Sequence, residues 1–341
     1  MNLAQVEYIQ RDLDSIFSDV SLFGELRNKK VFLTGASGFI GQWLLLSFAH
    51  LNNKHDFNIS VTASSRNITE SSIISHLKVN NKFEFQDIDV RYPFDVPAET
   101  DFIIHLAGSP DRRVHASSPL DVIRTITDGT ENVLKAATRV DKLSKALIFT
   151  SGLTHGKQDN STENTSYKPF DCLNFSSSYT ESKRLAETIC HVYARQHHIP
   201  LGIVRPYSFI GPLQDLDRPW AINNFINGAL RNKEIRVLGN PETRKSFLYP
   251  TDMVVAILKY LLSDKAEAPL ELGTREIVSL DDICKKIVTS VDFGVRIDYS
   301  DRDRKTARHD FYPAYSELNE SVSFDECLSK SIAWYKLAAN N

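Results

Sequence analysis

Between residues 30 and 205, short apolar runs alternate with longer stretches in which apolar positions recur at helical spacing. The first run is Lys30–Thr34, and others fall at 58–63, 83–89, 102–106, 146–150 and 201–205. They are rich in Val, Ile, Leu and Phe and end in small or polar residues, as strands buried on both faces do. Helical patterns occupy about 41–51, 119–138 and 179–196 between them. This order predicts an α/β fold with a doubly wound parallel sheet, right-handed crossovers and ligands at the carboxyl ends of the strands. Val6, Ile9, Leu13, Ile16 and Phe17 predict a helical preface over 1–28, packed on the core or against a partner subunit. After Gly211-Pro212 the pattern is less regular, with helices over 221–231, up to Leu262 and over 324–335. The expected division is the preface, a main domain over 29–210 plus about 246–273, and a smaller substrate lobe over 211–245 and 274–341.

Composition narrows the classes. A 42% hydrophobic and 24% charged content is that of an ordinary globular chain, and a net charge of −3 argues against a nucleic-acid partner. No apolar run approaches membrane-spanning length, and the N-terminus shows no basic stretch followed by an apolar one. Cys172, Cys190, Cys284 and Cys327 are scattered and have no histidine at ligand spacing, so neither a metal site nor a disulfide frame is expected. A cytoplasmic address follows from these features.

The first strand leads into Thr34-Gly35-Ala36-Ser37-Gly38-Phe39-Ile40-Gly41, which opens a helix. Glycines there permit a tight turn, close approach of a pyrophosphate and close helix–strand packing, and the helix N-terminus offers free N–H groups to phosphate. The fold class is thus Rossmann-type, with Gly35, Ser37, Gly38, Phe39, Ile40 and Gly41 at the cofactor. The acidic residue that commonly ends the second strand is replaced by Ser64-Ser65-Arg66. Ser65 and Arg66 suit a 2′-phosphate and tilt the expected cofactor from NAD toward NADP. Asp89 and Val90 close the third strand where an adenine edge would lie; Asp89 can accept from the adenine amino group or simply face solvent.

Tyr179 and Lys183 are four residues apart on a predicted helix, hence on one face, and Ser151 ends the fifth strand. A cation beside a phenol favours its anion, so the pair predicts a tyrosine of lowered pKa that gives and takes a proton while Ser151 bonds the reacting oxygen. Lys183 can also hold the nicotinamide ribose.

Together with His105-Leu106-Ala107-Gly108, Arg205-Pro206, Gly211-Pro212 and 246–252, these motifs make the chain resemble the extended short-chain dehydrogenase/reductases. Within them it is similar to the NAD-dependent epimerase/dehydratase family acting on nucleotide sugars, over roughly residues 29–335. The resemblance implies hydride transfer between a nicotinamide and a sugar carbon, most often C4, with Ser151, Tyr179 and Lys183 catalytic. It also implies Leu106, Ala107 and Gly108 at the cofactor, a nucleotide-sugar substrate, a homodimer through the helices near 121–133 and 179–196, and a role in surface-polysaccharide (lipopolysaccharide) sugar biosynthesis.

Departures sharpen this. Dehydratases of the family carry an Asp-Glu pair where Gly152 and Leu153 stand, which argues against a 4,6-dehydratase and leaves a 4-keto reductase or a 4-epimerase. Lys245, preceded by Arg244, holds the place of an arginine that meets the diphosphate, and a lysine lacks the bidentate fork. Ser208 replaces a substrate-contacting asparagine, and Arg304 and Arg308 are further cationic candidates. Two other classes share parts of the pattern: a reductase of non-sugar carbonyls and a non-catalytic dinucleotide sensor.

Overall fold

The computed structural model describes residues 1–68, 77, 81–159, 166–264, 268–291, 294–299, 308–318 and 321–339. Its centre is a seven-stranded parallel sheet built from β1 (Lys30–Thr34), β2 (Ser60–Ser65), β3 (Phe83–Asp87), β4 (Phe102–His105), β5 (Lys145–Phe149), β6 (Leu201–Pro206) and β7 (Leu270–Leu272). The spatial order is β3-β2-β1-β4-β5-β6-β7, so the chain runs outward from β1 in one direction and then returns to fill the other half. The register pairs Thr34 with Ser64 and with His105, and Phe149 with Val204, aligning the carboxyl ends of the central strands.

Helices cover both faces: α1 (Leu3–Ile16), α2 (Phe39–His55), α3 (Arg112–Ser117), α4 (Pro119–Ala137), α5 (Ser178–His197), α6 (Ala221–Asn232), α7 (Pro250–Leu262), α8 (Leu280–Val291) and α9 (Phe324–Ala339). Successive residues of β1 serve opposite faces. Val31 and Leu33 join the core formed with α1, α2 and α7, while Phe32 joins the core formed with α4 and α5. A third cluster fills the C-terminal region, where α6, α8 and α9 bury Phe225, Ile283 and Leu328. No helix among the described residues is long and apolar enough to cross a membrane.

Several boundaries differ from the expected ones for local reasons. β2 starts at Ser60 because Asn58 takes a left-handed conformation at φ 57° and bonds Asn28 through its side-chain amide. β3 stops at Asp87, whose carboxylate accepts from the Ile68 amide, and Asp89 beyond it turns to Arg91. The preface packs on the molecule's own core: Ile9, Leu13 and Phe17 are buried, and Phe17 meets Phe23 with ring centroids 5.4 Å apart. Its start is closed by a capping box between Asn2 and Gln5. Asp12, on the same buried face, accepts from Tyr249 at 2.7 Å and pairs with Lys330 at 2.8 Å, tying α1 to the start of α7 and to α9.

Candidate functional site

The glycine turn joins β1 to α2 at the carboxyl edge of the sheet. Gly35 sits at φ 71°, and a Cβ there would lie 2.8 Å from the Ala107 nitrogen and from the Leu106 carbonyl carbon. A Cβ on Gly41 would lie 2.7 Å from the Gly35 oxygen. Only glycine fits either place, and the bare turn leaves the amide ends of α2 open to an anion. Phe39 and Ile40 are half-buried in the first turn of α2 against the main core. Ser37 and Ser65 share a hydrogen bond of 2.7 Å, linking the turn to the end of β2. Arg66 is exposed beside them. Asp89 is gripped by Arg91 through Nη2 at 2.6 Å and Nε at 3.0 Å, which holds its carboxyl below the usual range and occupies much of its accepting capacity. Val90 is buried against Gly129, and its carbonyl accepts from Asn132 at 2.9 Å.

β4 delivers His105, Leu106, Ala107 and Gly108 to the same edge. His105 is buried with Nδ1 2.7 Å from the Thr34 hydroxyl, and burial, aided by Lys183, drives its pKa down to about 3; the ring is neutral. Gly108 has φ 149° and faces the Lys183 ammonium, which would lie 3.3 Å from an added Cβ.

α5 then brings Tyr179 and Lys183 in from the other half of the sheet. Lys183 donates from Nζ to the Phe149 carbonyl at 2.7 Å, and Nζ lies 5.9 Å from the Tyr179 ring centroid. Burial lowers the Lys183 pKa to about 8, opposed by Cys190 and Glu187. Tyr179 contradicts the expected direction: burial pushes the phenol up to about 12, and the Ser151 hydroxyl beside it acts the other way. The ammonium is spent on the Phe149 carbonyl, so desolvation prevails over it. Ser151, Tyr179 and Lys183 therefore converge as the spacing predicts, but with a protonated phenol. Ser151 also caps the turn Gly152–His155, accepting from the Leu153 amide at 3.2 Å.

Behind this trio lies a half-buried ionic network not anticipated from the sequence. Glu187 accepts from Thr150 at 2.7 Å and from both Nε (2.9 Å) and Nη2 (2.6 Å) of Arg205. Arg205 reaches Glu271 with Nη1 at 3.0 Å, and Glu271 also bonds His155 at 2.9 Å and accepts from the Tyr207 hydroxyl at 2.8 Å. Burial raises the Glu271 carboxyl, yet His155, Tyr207 and Arg205 outweigh it and hold it ionised. The Tyr207 ring fills the place where a side chain at Gly152 would begin. A signal for Glu187 was present: it continues the four-residue ladder from Tyr179 and Lys183 on one helix face.

On the C-terminal side, Ser208 is half-buried and paired in a short parallel ladder with Phe247. Arg244 and Lys245 are neighbours on a two-residue strand, so their side chains leave opposite faces. Arg244 is exposed, with its backbone amide held by Asp310 at 2.8 Å. Lys245 turns inward, its Nζ 5.5 Å over the Phe311 ring, and its pKa falls to about 8 through burial, then through Arg112. Arg308 is engaged with Asp310 at 2.7 Å, and Arg304 lies outside the described residues.

The arrangement can hold an anionic dinucleotide along the glycine turn and move a proton at its far end. The chain is 24% identical over 346 residues to UDP-glucuronic acid decarboxylase 1 of Xenopus tropicalis, covering 97% of this chain and 78% of the relative. It is 30% identical over 253 residues to UDP-glucuronic acid decarboxylase 6 of Arabidopsis thaliana, covering 72% of this chain and 69% of the relative. In fold it is similar to a UDP-glucuronic acid 4-epimerase from Bacillus cereus solved with UDP-glucuronic acid and NAD, at a TM-score of 0.69 and 21% identity, covering 91% of this chain and 99% of that one. The NAD dependent epimerase/dehydratase family matches residues 31–273, from the first strand of the sheet through its last, and the chain, an enzyme of the nucleotide-sugar modifying kind, belongs to that family.

Proposed function

We propose that the chain oxidises or reduces C4 of a nucleotide-linked sugar, as a 4-epimerase or a 4-keto reductase. The convergence of Ser151, Tyr179 and Lys183 beside Gly108 and the glycine turn carries this reading. The close packing at Gly35 and Gly41 and the open N-terminus of α2 fit a dinucleotide, which when bound supplies hydride transfer at the sugar carbon. In reduction the Tyr179 phenol donates its proton to the oxygen at that carbon; in oxidation the phenolate takes the hydroxyl proton. Ser151 donates to the same oxygen and fixes its direction. Lys183, charged below about pH 8, favours the anionic phenol when the proton leaves. Lys245, facing inward, takes the diphosphate, and Ser208 bonds the sugar. Residues 211–245 and 274–341 form the substrate lobe.

Ser65 and the exposed Arg66 favour NADP, which suits a reductase; NAD, named with the Bacillus cereus epimerase, suits an epimerase. The reading includes a cytoplasmic homodimer through α4 and α5, where Leu120, Leu185 and Val192 are exposed, and a part in surface-polysaccharide sugar synthesis.

A second outcome of the same first step is favoured by the decarboxylase relatives. Oxidising C4 of a hexuronate gives a ketone β to the carboxylate, and such acids lose carbon dioxide. Lys245 and Arg112 form a positive surround that suits an acidic sugar, and it keeps the nearby His309 ring, already lowered by burial, below its ordinary pKa.

The test is incubation of the purified protein with UDP-glucuronic acid, UDP-glucose or UDP-N-acetylglucosamine plus NAD, and with a UDP-4-keto sugar plus NADPH. Products are followed by NMR and by released carbon dioxide. We expect turnover in at least one pair and a loss of about 100-fold or more in Tyr179→Phe with nucleotide binding retained. Unchanged turnover in Tyr179→Phe, or no turnover on any nucleotide sugar, overturns the reading.

A further inference from the structure

The face of Tyr179 is covered by an imidazole. The His115 and Tyr179 rings stack with centroids 4.4 Å apart and planes 14° from parallel. His115 is the one buried residue of α3, the short helix after the β4 loop. Its ring is fixed from two directions. Nε2 lies 2.7 Å from the Ser109 carbonyl, which can only accept, so the proton sits on Nε2 and the neutral ring keeps Nδ1 bare. The helix itself is anchored by Asp111, which accepts from the Arg113 amide at 2.9 Å. The Asp111 side chain is 3% exposed and pairs with Arg113 at 2.8 Å and with Arg218 at 3.2 Å. Arg218 belongs to the segment leading into α6, so the placement of His115 is set jointly by the β4 loop and the C-terminal part of the chain.

We propose that His115 is a positioning residue for Tyr179: its stacked, neutral ring holds the phenol in its proton-transfer orientation. This deepens the proposed function and rests on Tyr179 being the proton-transfer group. A phenol on a single Cβ stem turns about two side-chain torsions, and a misplacement of about 1 Å at a reacting atom can cost on the order of 100-fold in rate. Val122, Ile126 and Ala186 pack against Tyr179, and His115 supplies the flat aromatic partner.

The partner is also titratable. Burial holds the His115 pKa below its ordinary 6.5, the Ser109 carbonyl and Asp111 oppose this, and Arg112 and Lys183 add to it. The groups facing the ring are therefore Asp111 and Arg112 from its own helix and cap, Ser109 from the β4 loop, and Tyr179 and Lys183 from α5. Near neutral pH the ring is uncharged. Acidification adds a cation against the phenol face, close to the Lys183 ammonium, and changes the proton affinity of Tyr179.

The experiment compares kcat and KM across pH for wild type, His115→Ala, His115→Phe and Tyr179→Phe, with UDP-glucuronic acid and NAD, or a UDP-4-keto sugar and NADPH, as the probe pair. His115→Ala is expected to lose about ten- to a hundredfold in kcat with KM little changed. His115→Phe keeps an aromatic ring and should retain kcat to within about threefold, while losing an acid-side inflection present in wild type. If His115→Ala fails to fold, the phenylalanine variant decides: persistence of the inflection, or a kcat loss of tenfold or more, overturns the proposal. Wild-type kinetics in both His115 variants, with Tyr179→Phe inactive, sinks the His115 assignment and leaves the function standing. No turnover in wild type, or an active Tyr179→Phe, removes the reading beneath it and this proposal with it.

Discussion

Lys183 shows how one side chain is set by burial and by a neighbour one helical turn away. Burial takes its pKa to about 8 from 10.5, and Glu187 acts to keep it charged. A lysine is cationic below its pKa, so the help to the departing phenol proton proposed for it would be present below about pH 8 and disappear as pH rises through that value. The kcat/KM profile should therefore fall on the alkaline side near pH 8, and Glu187→Gln should move that limb to lower pH, read from rate profiles of the two proteins. The sign for stability is opposite to that of a salt-bridged lysine. Between about pH 8 and 10.5 the unfolded chain binds more protons at this group, so its contribution to folding becomes more favourable as pH rises. The spacing of Tyr179 and Lys183 made the pair visible in the sequence. The raised phenol pKa was not visible, because nothing in a linear pattern says that the ammonium spends itself on the Phe149 carbonyl.

Among the elements, the β1–α2 turn is the least tolerant of change. Gly35→Ala combines a left-handed backbone with a contact of 2.8 Å to the β4 loop, so the turn must deform or push Ala107 away. It should abolish the thermal shift given by NAD or NADP in wild type while the unliganded protein still melts cooperatively, as thermal denaturation with and without nucleotide would show. The six longer strands and the three long helices between them were legible because a sheet buried on both faces writes continuous apolar runs. β7 was not. It has three residues with Glu271 in the middle, and that polar residue is a node of the network behind the site. α8 was also missed although a signal for it was present: Leu280, Ile283, Cys284 and Ile287 recur at helical spacing and pack on one face, with Lys285 and Lys286 on the other. His115 likewise lay in a stretch without a motif, and its partner is remote in sequence.

For the whole molecule, α1 links regions that the topology would otherwise leave to pack alone. Asp12 is 4% exposed and holds both Tyr249 and Lys330. Asp12→Ala leaves a buried phenol and an ammonium without their acceptor and should cost about 1–3 kcal/mol, measured as a lowered urea midpoint with an unchanged slope. Tyr207 joins distant stretches in a different way: its ring is wedged against Gly152 after β5 and Gly273 after β7, and lies 4.9 Å from the Phe311 ring. This contact bears on descent. A chain acquiring an acidic side chain at 152 by a single codon change would first meet the tyrosine ring, so the ring must shrink beforehand, and the Glu271 carboxylate would then lose its phenol donor. Three positions in three separate segments are thus bound to one order of replacement.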